Sequence, residues 1–286
     1  MRLHTLALLG LFLAVPAYPA FADSTVYNNL TPNDLMAMAS RPGSPGVLEI
    51  EAADDFVLTQ DTTITSGSFV GLFAGGTGST SIADVTVEIY RVFPQDSTVP
   101  PSGNVPTRVN SPSDVAFSSA DSAANQLTFS STLLSNTFTA DNSVINGIHP
   151  KPDQTTLGEG PVTGQESQIN FTLSSGIDLA AGHYFFVPQV ELTNGADFYW
   201  LSASRPISGP GTTPFPAGNT DLQTWIRNEN LNPDWLRVGT DIVGGTTPPT
   251  FNAAFSLNGS SVSTPEPSSL LLLCIFGPAL FLLRRR

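Results

Sequence analysis

Apolar and polar side chains alternate through residues 82–93, and no other pattern in this chain constrains its fold as tightly. A period of two places Val85, Val87, Ile89 and Arg91 on one side of an extended strand, and Thr86, Glu88, Tyr90 and Val92 on the other. A helical period would scatter both sets around the axis. Pro94 ends the run because it cannot donate to a β ladder. Shorter alternating runs recur at 55–59, 67–73, 166–173, 182–192 and 197–202. Residues 126–140 read as extended, in two segments, and 224–227, 235–238 and 251–257 as short strands. Stretches rich in Pro, Ser, Asn and Gly at 95–114, 149–164 and 203–222 read as long loops.

About nine to eleven strands follow from this reading. Helices do not alternate with the strands, which argues against a parallel α/β sheet. The expectation is an all-β fold: a single antiparallel β-sandwich, jelly-roll-like. Three local expectations are sharper. Residues 32–39 form a short helix capped by Thr31, with Asp34 in its first turn. Asn194-Gly195 closes a hairpin joining 182–192 to 197–202. Pro188 marks an edge strand or a bulge.

The two ends of the chain are of another kind. Residues 1–22 carry Arg2, an apolar run and the small-residue site Ala20-Phe21-Ala22, the layout of a cleaved secretory signal peptide. Residues 23–257 then form the sandwich ectodomain and 258–264 a flexible linker. Residues 265–286 open with Pro265-Glu266-Pro267, continue through an uncharged apolar stretch and end in Arg284, Arg285 and Arg286. That apolar stretch, kinked by Pro278, is expected to form a short membrane helix with the arginines as a cytoplasmic stop.

The succession of Pro265-Glu266-Pro267, serine, a Leu-rich stretch and a terminal arginine cluster resembles the PEP-CTERM sorting signal. The resemblance covers only the last twenty or so residues. It implies processing by an exosortase near Pro265-Glu266-Pro267, in a Gram-negative bacterium that makes exopolysaccharide. Export through the inner membrane, transient anchoring and final residence at the cell surface or outside the cell are the corresponding expectations. The strands near 54–58 and 255–259 are also similar to the first and last strands of sandwich ectodomains of this class, for which the resemblance implies no chemistry.

Charge and composition narrow the functional classes. Residues 23–263 hold seven basic side chains against 23 acids, a net −16 from those counts. Such a surface repels phosphates and excludes nucleic acid as a partner. The one cysteine, Cys274, lies in the apolar tail, so no disulfide and no thiolate chemistry serves the ectodomain. Asp54-Asp55 and the stretch 229–234 offer oxygen ligands for Ca²⁺, but neither has an EF-hand pattern and turn chemistry accounts for both; no cofactor and no metal is expected.

His149 and His183 sit in no hydrolase motif, and the chain is read as a non-enzymatic matrix or surface protein associated with exopolysaccharide or biofilm. The alternative, an extracellular hydrolase of polysaccharides or esters, rests on His183 and acids such as Glu166 and Glu191. All three tryptophans fall between 200 and 235. Period two makes Phe198 and Trp200 core residues, leaving Trp225, Trp235 and Tyr199 as candidate glycan contacts. Asp221, Gln223, Arg227, Asn228 and Asp234 stand nearby as partners for sugar hydroxyls.

Overall fold

A computed structural model describes residues 23–76, 78–98, 103–148, 155–204 and 222–261. The expected signal peptide, the sorting motif with its apolar helix and arginines, His149 and Asp221 lie outside the described residues. Two sheets pack face to face. The larger contains β1 (Ser24–Asn29), β2 (Pro32–Ala39), β4 (Thr62–Ala74), β7 (Leu127–Ala140), β8 (Ser143–Val144), β9 (Val162–Leu179), β11 (Phe198–Ala203), β14 (Asn252–Ala253) and β15 (Phe255–Ser261). The smaller runs in the order β13 (Leu236–Arg237), β12 (Trp225–Asn228), β3 (Ile50–Leu58), β10 (Gly182–Leu192), β5 (Ile82–Arg91), β6 (Ser118–Asp121). Among the described residues, helix is limited to a 3₁₀ turn at Ser79–Ser81 and a π turn at Val238–Val243, and none is long and apolar enough to cross a membrane.

β4 organises the larger sheet. β9 pairs along its whole length on one side, and β7 follows outside β9. On the other side β15 takes Thr62–Phe69, and β11 takes Gly71–Phe73, end to end. β1 closes this edge, with Ser24 opposite Gly259 and Asn29 opposite Phe255. The sandwich interior is largely aromatic. Phe186 of β10 stacks on Phe171 at 5.7 Å and Phe255 at 5.1 Å, and meets Trp200 edge-on at 5.9 Å. Among the described residues all but one pairing between strands is antiparallel; β2 and β8 run parallel.

The alternation in β5 is realised as read, with Val85, Val87 and Ile89 in the core. Several local expectations are corrected. Residues 32–39 are strand, not helix: Asp34 takes a left-handed backbone (φ 56°), and Met36–Ala39 are wholly buried between β11 and β8. Strand pairing there outweighs helix propensity. Asn194-Gly195 does turn the chain, with Gly195 N–H donating to the Leu192 carbonyl, but it carries the chain from one sheet to the other. β11 pairs with β2, β4 and β14, so no β10–β11 hairpin forms. Pro188 lies in the interior strand β10, paired on one side with Val87, past the point where the β3 ladder stops at Phe186. Its carbonyl instead accepts the Ser40 hydroxyl at 2.5 Å. β7 is one strand rather than two, with register shifts around Ser135. The expected linker begins later than 258, because residues 258–261 continue β15 against β4.

Candidate functional site

The outer face of the smaller sheet carries a second set of buried side chains. Because side chains alternate, β3 sends Glu51, Ala53 and Asp55 outward, β5 sends Glu88 and Tyr90, β10 sends Phe185 and Val187, and β12 sends Trp225 and Arg227. Ala53, Tyr90, Phe185, Val187, Trp225 and Trp235 form a compact apolar cluster there, against which Val92 and Ala116 pack from the long loop after β5. The Trp235 indole N–H donates to the Ser113 carbonyl at 3.0 Å and pins that loop down.

Residues 103–117 of this loop are polar in sequence yet tightly held. Arg108 is buried, donating to Asp234 at 2.8 Å, Asp114 at 2.9 Å, the Ser111 hydroxyl at 3.0 Å and the Pro112 carbonyl at 3.1 Å. Its guanidinium also lies 4.6 Å above the Phe93 ring. Burial alone would raise the Asp114 carboxyl; the Thr98 amide and hydroxyl and Arg108 outweigh it and hold Asp114 below the usual carboxylate range.

Arg227 is the second anchor. It pairs with Glu51, its cross-strand neighbour, and donates to the Tyr90 hydroxyl at 2.9 Å, Asn232 Oδ1 at 3.1 Å and the Asp114 carbonyl at 3.0 Å. Its guanidinium stacks 4.3 Å from the centre of Trp235. Tyr90 stands between two carboxyls, 2.6 Å from Glu51 Oε1 and 3.1 Å from Glu88 Oε2. A phenol has one proton to give. If that proton goes to Glu51, the contact with Glu88 is attractive only when Glu88 carries its own proton and donates it to the phenol oxygen. Burial, reinforced by the Glu51 charge, pushes Glu88 up to about 7.

Above this floor opens a cleft of about 490 Å³, rimmed by Glu88, Thr98, Asp114, Val115, Asn232 and Pro233. Carboxyl, hydroxyl and amide groups alternate there with short apolar surfaces, a lining suited to a small hydroxylated ligand.

Trp225 and Trp235 are fully buried beneath this cleft, and Tyr199 is buried in the other sheet. None presents a ring face for a sugar to stack on, which corrects their reading as contacts. Both indoles sit on or beside strands that pack against the covering loop, whereas the sequence around them looks like open loop. Glu166 and Glu191 belong to different sheets. His183 is neutral at neutral pH, burial pushing it down to about 4, and its Nε2 lies 3.1 Å from Asp55. Asp54 and Asp55 point to opposite faces of β3 and do not share a ligand. Asp54 is wholly buried and accepts from the Ala253 amide at 2.8 Å and the Thr224 hydroxyl at 3.1 Å. In the stretch 229–234, Asp234 is ion-paired with Arg108 and Asn232 is bonded to Arg227. Among the described residues no group of three or more His, Cys, Asp or Glu converges on one point.

Of the site residues, Arg227 was legible as a polar partner near the tryptophans, and Glu88 and Tyr90 as neighbours on one side of β5. Glu51 and Asp114 carried no local signal, since they reach the site from β3 and from the covering loop. No family model matches the chain, and no curated protein matches it.

Proposed function

We propose that this chain is an exported surface or matrix protein, a jelly-roll-like sandwich that binds a saccharide without transforming it. The observation that carries the binding is the cleft over Glu88, where donors, acceptors and apolar surface are held in place by two buried arginines. Near neutral pH the Glu88 proton engages the Tyr90 oxygen, and the remaining carboxyl oxygen is left as an acceptor for a ligand of hydroxyl groups. Export and exosortase processing rest on the two ends of the sequence, and the exopolysaccharide of the producing cell is the natural ligand to test. Titration calorimetry of the full chain with that polysaccharide is expected to show saturable binding. Loss of one such hydrogen bond, in Glu88→Ala or Thr98→Val, weakens it about tenfold. Absence of binding, or binding indifferent to both changes, rules the reading out. Mass spectrometry of the secreted protein's C-terminus tests processing, with an end near 265–267 expected.

A second reading, a hydrolase, is favoured by one observation: Glu88 holds a proton to about pH 7 beside the carboxylate of Glu51, the pairing a general acid requires. Product release from a panel of polysaccharides and esters tests it; turnover that survives in Glu88→Gln would come from a contaminant.

A further inference from the structure

The outermost strand of the larger sheet, β7, pairs among the described residues with β9 alone. Its fourteen residues include no charge, no proline and no glycine. Proteins commonly guard such an edge with charges, prolines, bulges or brevity. The other outer strands follow that rule. β6, β8 and β13 have two to four residues, and β1 has six with a register shift between Thr25 and Tyr27. In β7 the register shifts lie between Leu133 and Phe138, which leaves residues 127–133 a regular ladder against β9 from Leu127↔Leu173 to Leu133↔Ser167. Residues 130–134 are exposed, and Leu133 and Leu134 are each 47% exposed.

The sequence of this regular stretch is close to a palindrome: Leu127-Thr128-Phe129-Ser130-Ser131-Thr132-Leu133. Two copies related by a two-fold axis through Ser130 and normal to the sheet pair antiparallel. Leu127 then faces Leu133, Thr128 faces Thr132 and Ser130 faces itself; Phe129 opposite Ser131 is the only unlike pair. Odd residues pair with odd, so both copies keep their core-facing side on the same side of the joined sheet, and each half-exposed Leu133 gains an apolar neighbour. Leu–Leu and Thr–Thr are favourable cross-strand pairs. The chain carries a net charge of −13, so two copies approach best where neither presents an acid, and this edge is such a place.

We propose that β7 is a self-association edge, through which a second copy of this chain continues the larger sheet antiparallel about Ser130. Seven paired residues make a small interface, below the size of standard stable complexes, so association is weak in dilute solution and strengthens where the protein is concentrated.

The test is made on the full chain in detergent, in a Cys274→Ala background without other cysteines. Facing residues in an antiparallel pair lie about 4.5–5.5 Å apart at Cα, within the range a disulfide spans. Ser130→Cys is expected to form a covalent dimer on mild oxidation. Thr128→Cys and Thr132→Cys are expected to cross-link when mixed, and poorly when each is alone. Sedimentation should show a concentration-dependent dimer weakened about tenfold or more in Ser130→Lys, which sets like charges face to face at an exposed position. An unchanged unfolding temperature of Ser130→Lys checks that its fold is intact. Cross-linking without this register, a dimer indifferent to Ser130→Lys, or a monomer at every concentration overturns the proposal. So does concentration-independent hydrogen-exchange protection of 127–133 in the monomer, which would mean that the chain's own remaining residues cover the edge.

Discussion

Glu88 shows how one residue can tie binding to stability. Its ordinary pKa is 4.5, and in the fold it is pushed up to about 7. Between those values the folded chain holds a proton that the unfolded chain has lost, so its contribution to stability falls as pH rises from 4.5 to about 7 and is constant above. His183 acts in the opposite sense: its ordinary 6.5 falls to about 4, so stability is lost as pH drops through that window. Glu88→Gln isolates the first effect, because the amide still donates to Tyr90 and never ionises. The variant is expected to gain about 1–2 kcal/mol at pH 8 once partial exposure is allowed for, and little at pH 4.5. Thermal melts at the two pH values would read this as about 2–8 °C against almost none. Saccharide binding to a Glu88 held against Tyr90 by its proton should weaken above pH 7 in the wild type, where that contact is lost, and not in Glu88→Gln. At Arg227 the prediction is harsher. Lysine cannot bridge Glu51, Tyr90 and Asn232 together, and Arg227→Lys is expected to cost about 3 kcal/mol or more in denaturant titration.

At the scale of elements, β4 tolerates little change because it has neighbours on both sides. A Cβ at Gly71 would fall 2.1 Å from the Phe198 ring and 2.8 Å from the Tyr199 carbonyl oxygen. Gly71→Ala is expected to destabilise by about 1–3 kcal/mol or more, since the oxygen belongs to a paired strand and cannot retreat; urea midpoints would measure it. The same element shows what a sequence discloses. Strands with one face in the core, such as β5, announce themselves by alternation. β2 does not: Met36–Ala39 are all buried, so its apolar residues form a block rather than an alternation, and Ala and Met there read as helix formers. The turn at Asn194-Gly195 was legible as a turn, but its tetrad cannot state which sheet the chain enters next. The cleft was half legible for a related reason: Glu88 and Tyr90 are neighbours along one strand, while Glu51 and Arg227 join them across the sheet and Asp114 through the covering loop.

The whole molecule rests on contact between the two sheets, and Phe186 is where it is densest. Phe186→Ala removes a ring that touches Phe171, Trp200 and Phe255 at once, and is expected to cost about 3–5 kcal/mol. Calorimetry should show one cooperative transition at a lower temperature. Because the first described strand pairs with the last, Ser24 facing Gly259, the described residues end beside where they begin. That pairing has a mechanical meaning. A tension applied through Ser24 and Ser261 pulls two neighbouring points apart across a ladder. It opens the rungs in succession, as a zipper opens, instead of loading them all in parallel. The domain should therefore yield to modest force at this seam, β1 peeling away first and taking Tyr27 off Phe255, while the rings around Phe186 stay together until β15 has left β4.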